Sequence, residues 1–466
     1  MIRQILGRLR SPRLAAGLMA YLVAYVAVLT VVPQRGALTD AEVDVWLAAR
    51  PVLGGLVSML GLDNAYWSPL FVLPAAVLLL STAVCAGDRT ASTARLVALT
   101  RAIPAPLARR VEASPQFTVA SADGHLAMDR VASVARELKL RVVADEDGLR
   151  GTRRLWAAWG SPVFHWALVG LFVVAAVGQA VKWEGVVGIP VGHSVTDGVG
   201  SYGRIDRGPL GPAEPASGYT ISVPEMAIGS VEDGVDLGHT PLVRLSEGQS
   251  VVAQGLVFPN SPLVHGGLYV HREQWGLAVV AALESTSGAE IGRRNFLIDI
   301  ASTGGTGRLG IEEGMPPESG IARIRFAVPL DPAGDEFVAD VPADPRVEVS
   351  VPGSATAPVK VMRAGDVVAF PDAELSLRVV DVTRYVRLLV VHDPTIPFVY
   401  VFFVIAALGA AVALLVQPRA LVAVHRTTGD GELVADVVVL AKRVDPLFNA
   451  TARDALQSLS SPEGDA

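Results

Sequence analysis

The chain has 466 residues, of which 51% are apolar and only 18% charged, against about 25% charged in an average globular chain. That length exceeds one ordinary domain, and the apolar excess sits in a few runs, which excludes one oversized soluble core. The formal charge of −7 is unevenly spread, and a single cysteine, Cys85, excludes an intrachain disulfide, a Cys-x-x-Cys redox pair and a Cys-x-x-Cys-His haem attachment site.

In chain order, residues 1–13 carry four arginines, Arg3, Arg8, Arg10 and Arg13, and no acid. The uncharged run Leu14 to Val32 follows. It is longer than the apolar stretch of a secretory signal and ends in Val-Val-Pro-Gln rather than a small-x-small cleavage site, so it reads as a retained span. Within residues 33–68, the stretch Val43 to Leu62 contains Asp44, Arg50 and Pro51. Charges near mid-membrane are costly, so this stretch reads as an amphipathic helix on the outer surface. A second run covers Pro69 to Ala86, a third Pro162 to Val181 and a fourth Ile396 to Val416. About 20 apolar residues cross the roughly 30 Å of hydrocarbon. A backbone that must satisfy its own hydrogen bonds in lipid makes all four runs helices.

Residues 87–161 read as a small α/β insert: Met128 to Leu138 has helical spacing, Leu140 to Val143 looks like a strand, and an Asp-Glu-Asp-Gly turn follows at 145–148. Residues 182–395 are rich in strand signals, at Gly218–Val223, Val251–Phe258, Leu268–Leu283, Asn295–Ile300, Ile321–Val328, Arg346–Val351 and Leu375–Val391. Gly and Pro clusters, such as Thr-Gly-Gly-Thr-Gly at 303–307, separate them, and a β-sandwich or related all-β domain is the natural fold. The tail from Gln417 holds a short strand pattern at Leu433–Leu440 and a helical one from Ala450 to Leu459, and its last six residues read as disordered.

Lysines and arginines flanking apolar runs mark the cytoplasmic side. Residues 33–68 hold two against four acids, residues 87–161 twelve against eight, and residues 183–394 fifteen against 27, while Arg419 and Arg426 follow the last run. The alternation puts the N-tail, the insert and the C-tail in the cytoplasm. It puts residues 33–68 and the β-rich domain outside, in a multi-pass protein of the plasma membrane.

His165 is the most informative side chain. An imidazole inside a span is a functional hypothesis by default, and neutral imidazole is a good ligand for haem iron. An interface histidine reaching headgroups beside Trp156, Trp159 and Trp166 is the other reading of the same residues. Cys85 closes the second run beside Asp88 and Arg89, where it is a soft ligand, a reactive thiol or simple packing. His193, His239, His265, His271 and His392 match no metal spacing and read as structural or solvent-facing. The Gly-rich stretch at 303–310 lacks the Lys-Ser/Thr of a phosphate loop, no nucleophile elbow or His-Glu-x-x-His occurs, and an acidic outer domain offers no nucleic-acid patch.

Four stretches in order carry a likeness. They are Leu9-Arg-Ser-Pro-Arg-Leu-Ala running to Val-Val-Pro-Gln34; Tyr66-Trp-Ser-Pro-Leu-Phe closing with Cys85-Ala-Gly-Asp-Arg89; Gly160-Ser-Pro-Val-Phe-His165; and His392-Asp-Pro-Thr-Ile-Pro397 followed by Pro418-Arg. Together they resemble the ResB family, membrane proteins of the System II route of cytochrome c maturation, over nearly the whole chain. The resemblance implies a partner of the ResC (CcsA) type. It implies outward movement of haem b and attachment to reduced apocytochrome c, with thioredoxin-like thiol reductants as further partners. It also implies that His165 is a haem axial ligand near the inner leaflet and gives Cys85 a cofactor-side position. The partner's Trp-rich haem motif is absent, so the chain is not the fused form and is expected to be non-catalytic alone, one part of a haem lyase complex. A membrane-anchored sensor with an outer ligand-binding β-domain is the alternative. A transporter is disfavoured by four spans without an internal repeat.

Overall fold

The computed structural model describes residues 2–35, 40–120, 124–146, 148–214, 216–232, 234–285, 287–299, 308–314, 323–329, 345–350, 360–370, 375–428, 433–441 and 445–460. In chain order the helices and strands begin with α1 (Ile2–Leu9), α2 (Pro12–Leu29), α3 (Asp40–Ala48), α4 (Pro51–Leu60), α5 (Pro69–Ala98), α6 (Ala105–Ala113), β1 (Phe117–Ala120), α7 (Gly124–Glu137), β2 (Arg141–Asp145) and β3 (Gly148–Arg153). A 3-10 turn, Leu155–Trp159, leads into α8 (Gly160–Val181). Next come β4 (Trp183–Pro190), β5 (Ser194–Thr196), β6 (Arg204–Arg207), β7 (Thr220–Glu232), β8 (Val235–Glu247), β9 (Ser250–Leu256), β10 (Leu263–His265) and β11 (Leu268–Ser285). They are followed by β12 (Glu290–Asp299), β13 (Arg308–Gly314), β14 (Arg323–Pro329), β15 (Val347–Ser350), β16 (Lys360–Met362), β17 (Val367–Phe370) and β18 (Leu375–His392). The chain closes with α9 (Ile396–Leu415), β19 (Arg419–Thr427), β20 (Leu433–Ala441) and α10 (Pro446–Ser460). These elements form two compact units, residues 1–176 with 395–466, and residues 177–394.

Four helical stretches in the described residues are long and apolar enough to cross a membrane: α2, α5, Leu155–Val181 and α9. The start of α5 is set locally. Ser68 is its N-cap and accepts a hydrogen bond from the Leu70 amide, and Pro69 occupies the first turn, where a missing N–H costs nothing. Its end is not where hydropathy places it: α5 continues a dozen residues past Ala86, because the change from apolar to polar at Gly87 marks a change of surroundings and not a helix stop. The stretch Val43 to Leu62 forms two helices rather than one. Pro51 disfavours a helical conformation at Arg50, so α3 ends and α4 starts afresh, closing on Gly61 at φ +63°.

The insert and the C-tail are one folded body, not two. A five-stranded antiparallel sheet has the order β1-β20-β19-β3-β2. Its central strand β19 comes from beyond α9 and pairs with β3 from the insert, Leu421 opposite Gly151. Leu421 and Ala423 face a core shared with α7 and α10, through Val131, Ala135, Phe448, Ala452 and Leu456. Ala420, Val422 and Val424 face the opposite core, with Leu99, Ile103, Val111 and Leu155. A strand buried on both faces shows no apolar–polar alternation, which is why Arg-Ala-Leu-Val-Ala-Val-His does not announce itself as a strand.

Beyond the end of α8 and one 3-10 turn at Val199–Ser201, the second unit is built of strands in its described residues, with antiparallel sheets of seven, four and four strands. Its axis is the long pair β11–β18, in register from Leu268 opposite His392 to Ser285 opposite Leu375. A bulge between Arg272 and Gln274 places Leu268 and Val270 on the same face as Leu277, Val279 and Ala281, although the sequence parity changes between them. The lower part of that face builds a core with β7 and β8 through Ile221, Val243 and Leu388. The upper part builds one with β12 to β15 through Phe296, Phe326, Val347 and Leu377. The expected strands 251–258, 268–283 and 375–391 lie within or overlap β9, β11 and β18, while β4 and β8 are additional. The Gly-rich 303–307 stretch and residues 461–466 lie outside the described residues.

Candidate functional site

His165 stands in the second turn of α8, half-buried. Its Nδ1 is 2.7 Å from the Ser161 carbonyl oxygen. A carbonyl can only accept, so Nδ1 carries the proton and donates it, and in the neutral ring Nε2 keeps its lone pair. A hydrogen bond on the far nitrogen is the usual way a metal-binding imidazole is oriented.

Two neighbouring helices fix the turn that carries this imidazole. From α5, the Arg89 guanidinium donates to Ser161 Oγ at 2.9 Å, and Thr90 Oγ1 accepts from the Trp166 indole at 3.0 Å. Thr93 Oγ1 donates to the Ala158 carbonyl at 3.3 Å. From α9, Gly409 allows the closest approach: a Cβ there would sit 2.7 Å from the Phe164 amide nitrogen. Gly160 plays the reciprocal part, since its Cβ would lie 2.7 Å from the Ala413 nitrogen. Small residues at a helix crossing let backbones touch where no hydrophobic drive exists between helices.

Cys85, partly exposed, lies on α5 about one turn before Arg89. It lines a cavity of about 580 Å³ together with Arg10, Asp88, Arg89 and Ser161. Arg10 and Asp88 are ion-paired across that cavity at 2.6 Å. Cys85 lines the cavity, whereas His165 does not line it and is linked to it through Ser161, one helical turn earlier. Sequence reading singled out these two, met Ser161 and Arg89 only as their chain neighbours and did not name Gly409, because the roles of all three come from contacts between helices far apart in the chain. An oriented neutral imidazole nitrogen is a donor that suits haem iron.

Three histidines of the β unit make ring contacts. His239 stacks on Trp275 at 3.8 Å, His265 meets Tyr219 edge-on at 5.6 Å, and His392 stacks on Trp183 at 6.1 Å. Burial lowers the pKa of His271. Among the described residues no group of three or more His, Cys, Asp or Glu could hold a metal ion.

The family model described as ResB-like matches residues 13–451. The chain is also similar to a protein of Synechococcus sp. (strain WH7803) named "Cytochrome c biogenesis protein CcsB". The two are 26% identical over 466 residues, which cover 95% of this chain and 98% of that relative.

Proposed function

Since the chain belongs to the ResB-like family, we propose that it is a multi-pass membrane subunit of cytochrome c biogenesis, with haem as its cargo. The name of the Synechococcus relative supports the pathway. The four apolar helices support the membrane setting. In this reading the arginine-rich flanks keep both termini and the β1-β20-β19-β3-β2 body in the cytoplasm. The all-β unit stands outside.

The reading rests on His165. With Nδ1–H engaged by Ser161, its Nε2 is the atom that would bind haem iron close to the inner leaflet. The second axial position would fall to a ResC/CcsA-type partner, which would carry haem b onward to the outer face. The β unit would then hold apocytochrome c beside it. Attachment needs reduced apocytochrome thiols. In this reading thioredoxin-like reductants would be further partners.

The test is the haem retained when this protein is purified together with its partner. His165→Ala should reduce that haem at least severalfold while the protein still assembles with the partner. Haem content equal to that of the native complex would remove His165 from the mechanism.

A further inference from the structure

A second cavity, of about 470 Å³, adjoins the one that holds Cys85, and Ser92, Leu96 and Leu440 line both. The two read as one groove along the cytoplasmic extension of α5, in the size range of small-molecule sites. Its floor is apolar, made by the partly buried Leu96, Leu107 and Leu440, with Leu99 fully buried beneath them. Its rim is cationic, with Arg89 at one end and Arg95 and Arg110 at the other. Arg10 is already matched by Asp88, whereas Arg95 and Arg110 are exposed and have no acidic partner among the described residues. Both stand in the last turns of their helices, α5 and α6. One end of the groove reaches Ser161, whose carbonyl holds His165.

We propose that this groove is where haem docks before its iron meets His165, with the porphyrin face on the leucine floor and the propionate carboxylates on Arg95 and Arg110. The proposal rests on the haem-cargo reading and adds to it an entry site with its own recognition chemistry. An apolar plate with two carboxylates at one edge matches an apolar floor with guanidinium groups on one rim. Arginine is suited to the role because its planar fork binds a carboxylate through two parallel bonds. An anionic lipid headgroup shares the carboxylate's charge, and the experiment separates the two.

The protein with its partner is placed in phosphatidylcholine nanodiscs and titrated with ferric haem and with haem dimethyl ester, whose carboxylates are capped. Binding is followed by the Soret band. The native complex should favour free haem over the ester by roughly three- to tenfold, the scale of two partly exposed ion pairs. Arg95→Glu with Arg110→Glu should abolish that preference, and Arg95→Lys with Arg110→Lys should keep part of it. His165→Ala should keep the preference while its Soret position shifts. Equal binding of haem and ester by the native complex, or an undiminished preference in the charge-reversed variant, overturns the groove and leaves His165 standing. Failure of the native complex to bind either porphyrin overturns the haem reading itself. Loss of the preference when phosphatidylglycerol is added assigns the groove to lipid headgroups and overturns the proposal.

Discussion

Asp197 shows how single side chains set the stability of the β unit. Its buried carboxylate accepts from the Ser217 amide at 2.5 Å, from the Ser217 hydroxyl, and from the Tyr202 phenol at 2.5 Å. Tyr202 also packs edge-on against Trp183 at 5.9 Å. Burial raises the Tyr202 pKa most, and the hydrogen bond and the charge of Asp197 push it the same way. A group whose pKa is higher folded than unfolded holds its proton more tightly when folded, so its contribution is complete below the unfolded value of about 10 and is lost as pH rises above it. Tyr202→Phe should therefore destabilise the unit by about 1–2 kcal/mol at neutral pH, the cost of leaving one buried acceptor bond unmade. The gap between variant and native should narrow above pH 10. Denaturant unfolding at a series of pH values checks this, and a gap independent of pH would show that the phenol's proton is not what matters. The imidazole at 165 follows a similar logic: its neighbour Ser161 decides which nitrogen is available, and only the fold reveals that bond.

At the scale of elements, the α8–α9 crossing is the arrangement on which the candidate site depends. Gly409 and Gly160 face each other's backbones with no room for a side chain. Gly409→Leu should push α9 off the turn that holds Phe164 and His165. The expected result is loss of retained haem comparable to His165→Ala, with the protein still in the membrane, whereas native haem content would mean that the crossing does not position the imidazole. Much of this architecture could be read from residue types. The four spans follow from apolar length alone, β18 from its many valines, and β11 from a long, partly alternating apolar stretch. The joining of insert and tail could not be read, because β19 pairs with β3 across more than 250 residues of intervening chain and is buried on both faces. The start of α5 was legible in Ser68-Pro69, but its extension past Ala86 was not, since hydropathy reports surroundings and not helix ends. His165 and Cys85 stood out as rare types in apolar runs. Arg89 and the glycines did not, because each acquires meaning only from the helix beside it.

In the proposed reading the chain threads a bilayer four times, with the arginine-rich body on one side and the acidic β unit on the other. The proposed polarity rests on fifteen basic residues against 27 acids in residues 183–394, and on four arginines with no acid in residues 1–13. The proposed haem site depends on it, because an imidazole at the first turns of α8 would meet haem from the cytoplasm only if Gly160 lies on the inner face. The most direct measurement is accessibility labelling in a Cys85→Ser background, with one new cysteine at exposed Ser250 in β9 or at exposed Ser114 after α6. Right-side-out membrane vesicles are treated with a membrane-impermeant maleimide before and after permeabilisation. Ser250→Cys should be labelled in sealed vesicles and Ser114→Cys only once they are opened; the reverse pattern would contradict the account.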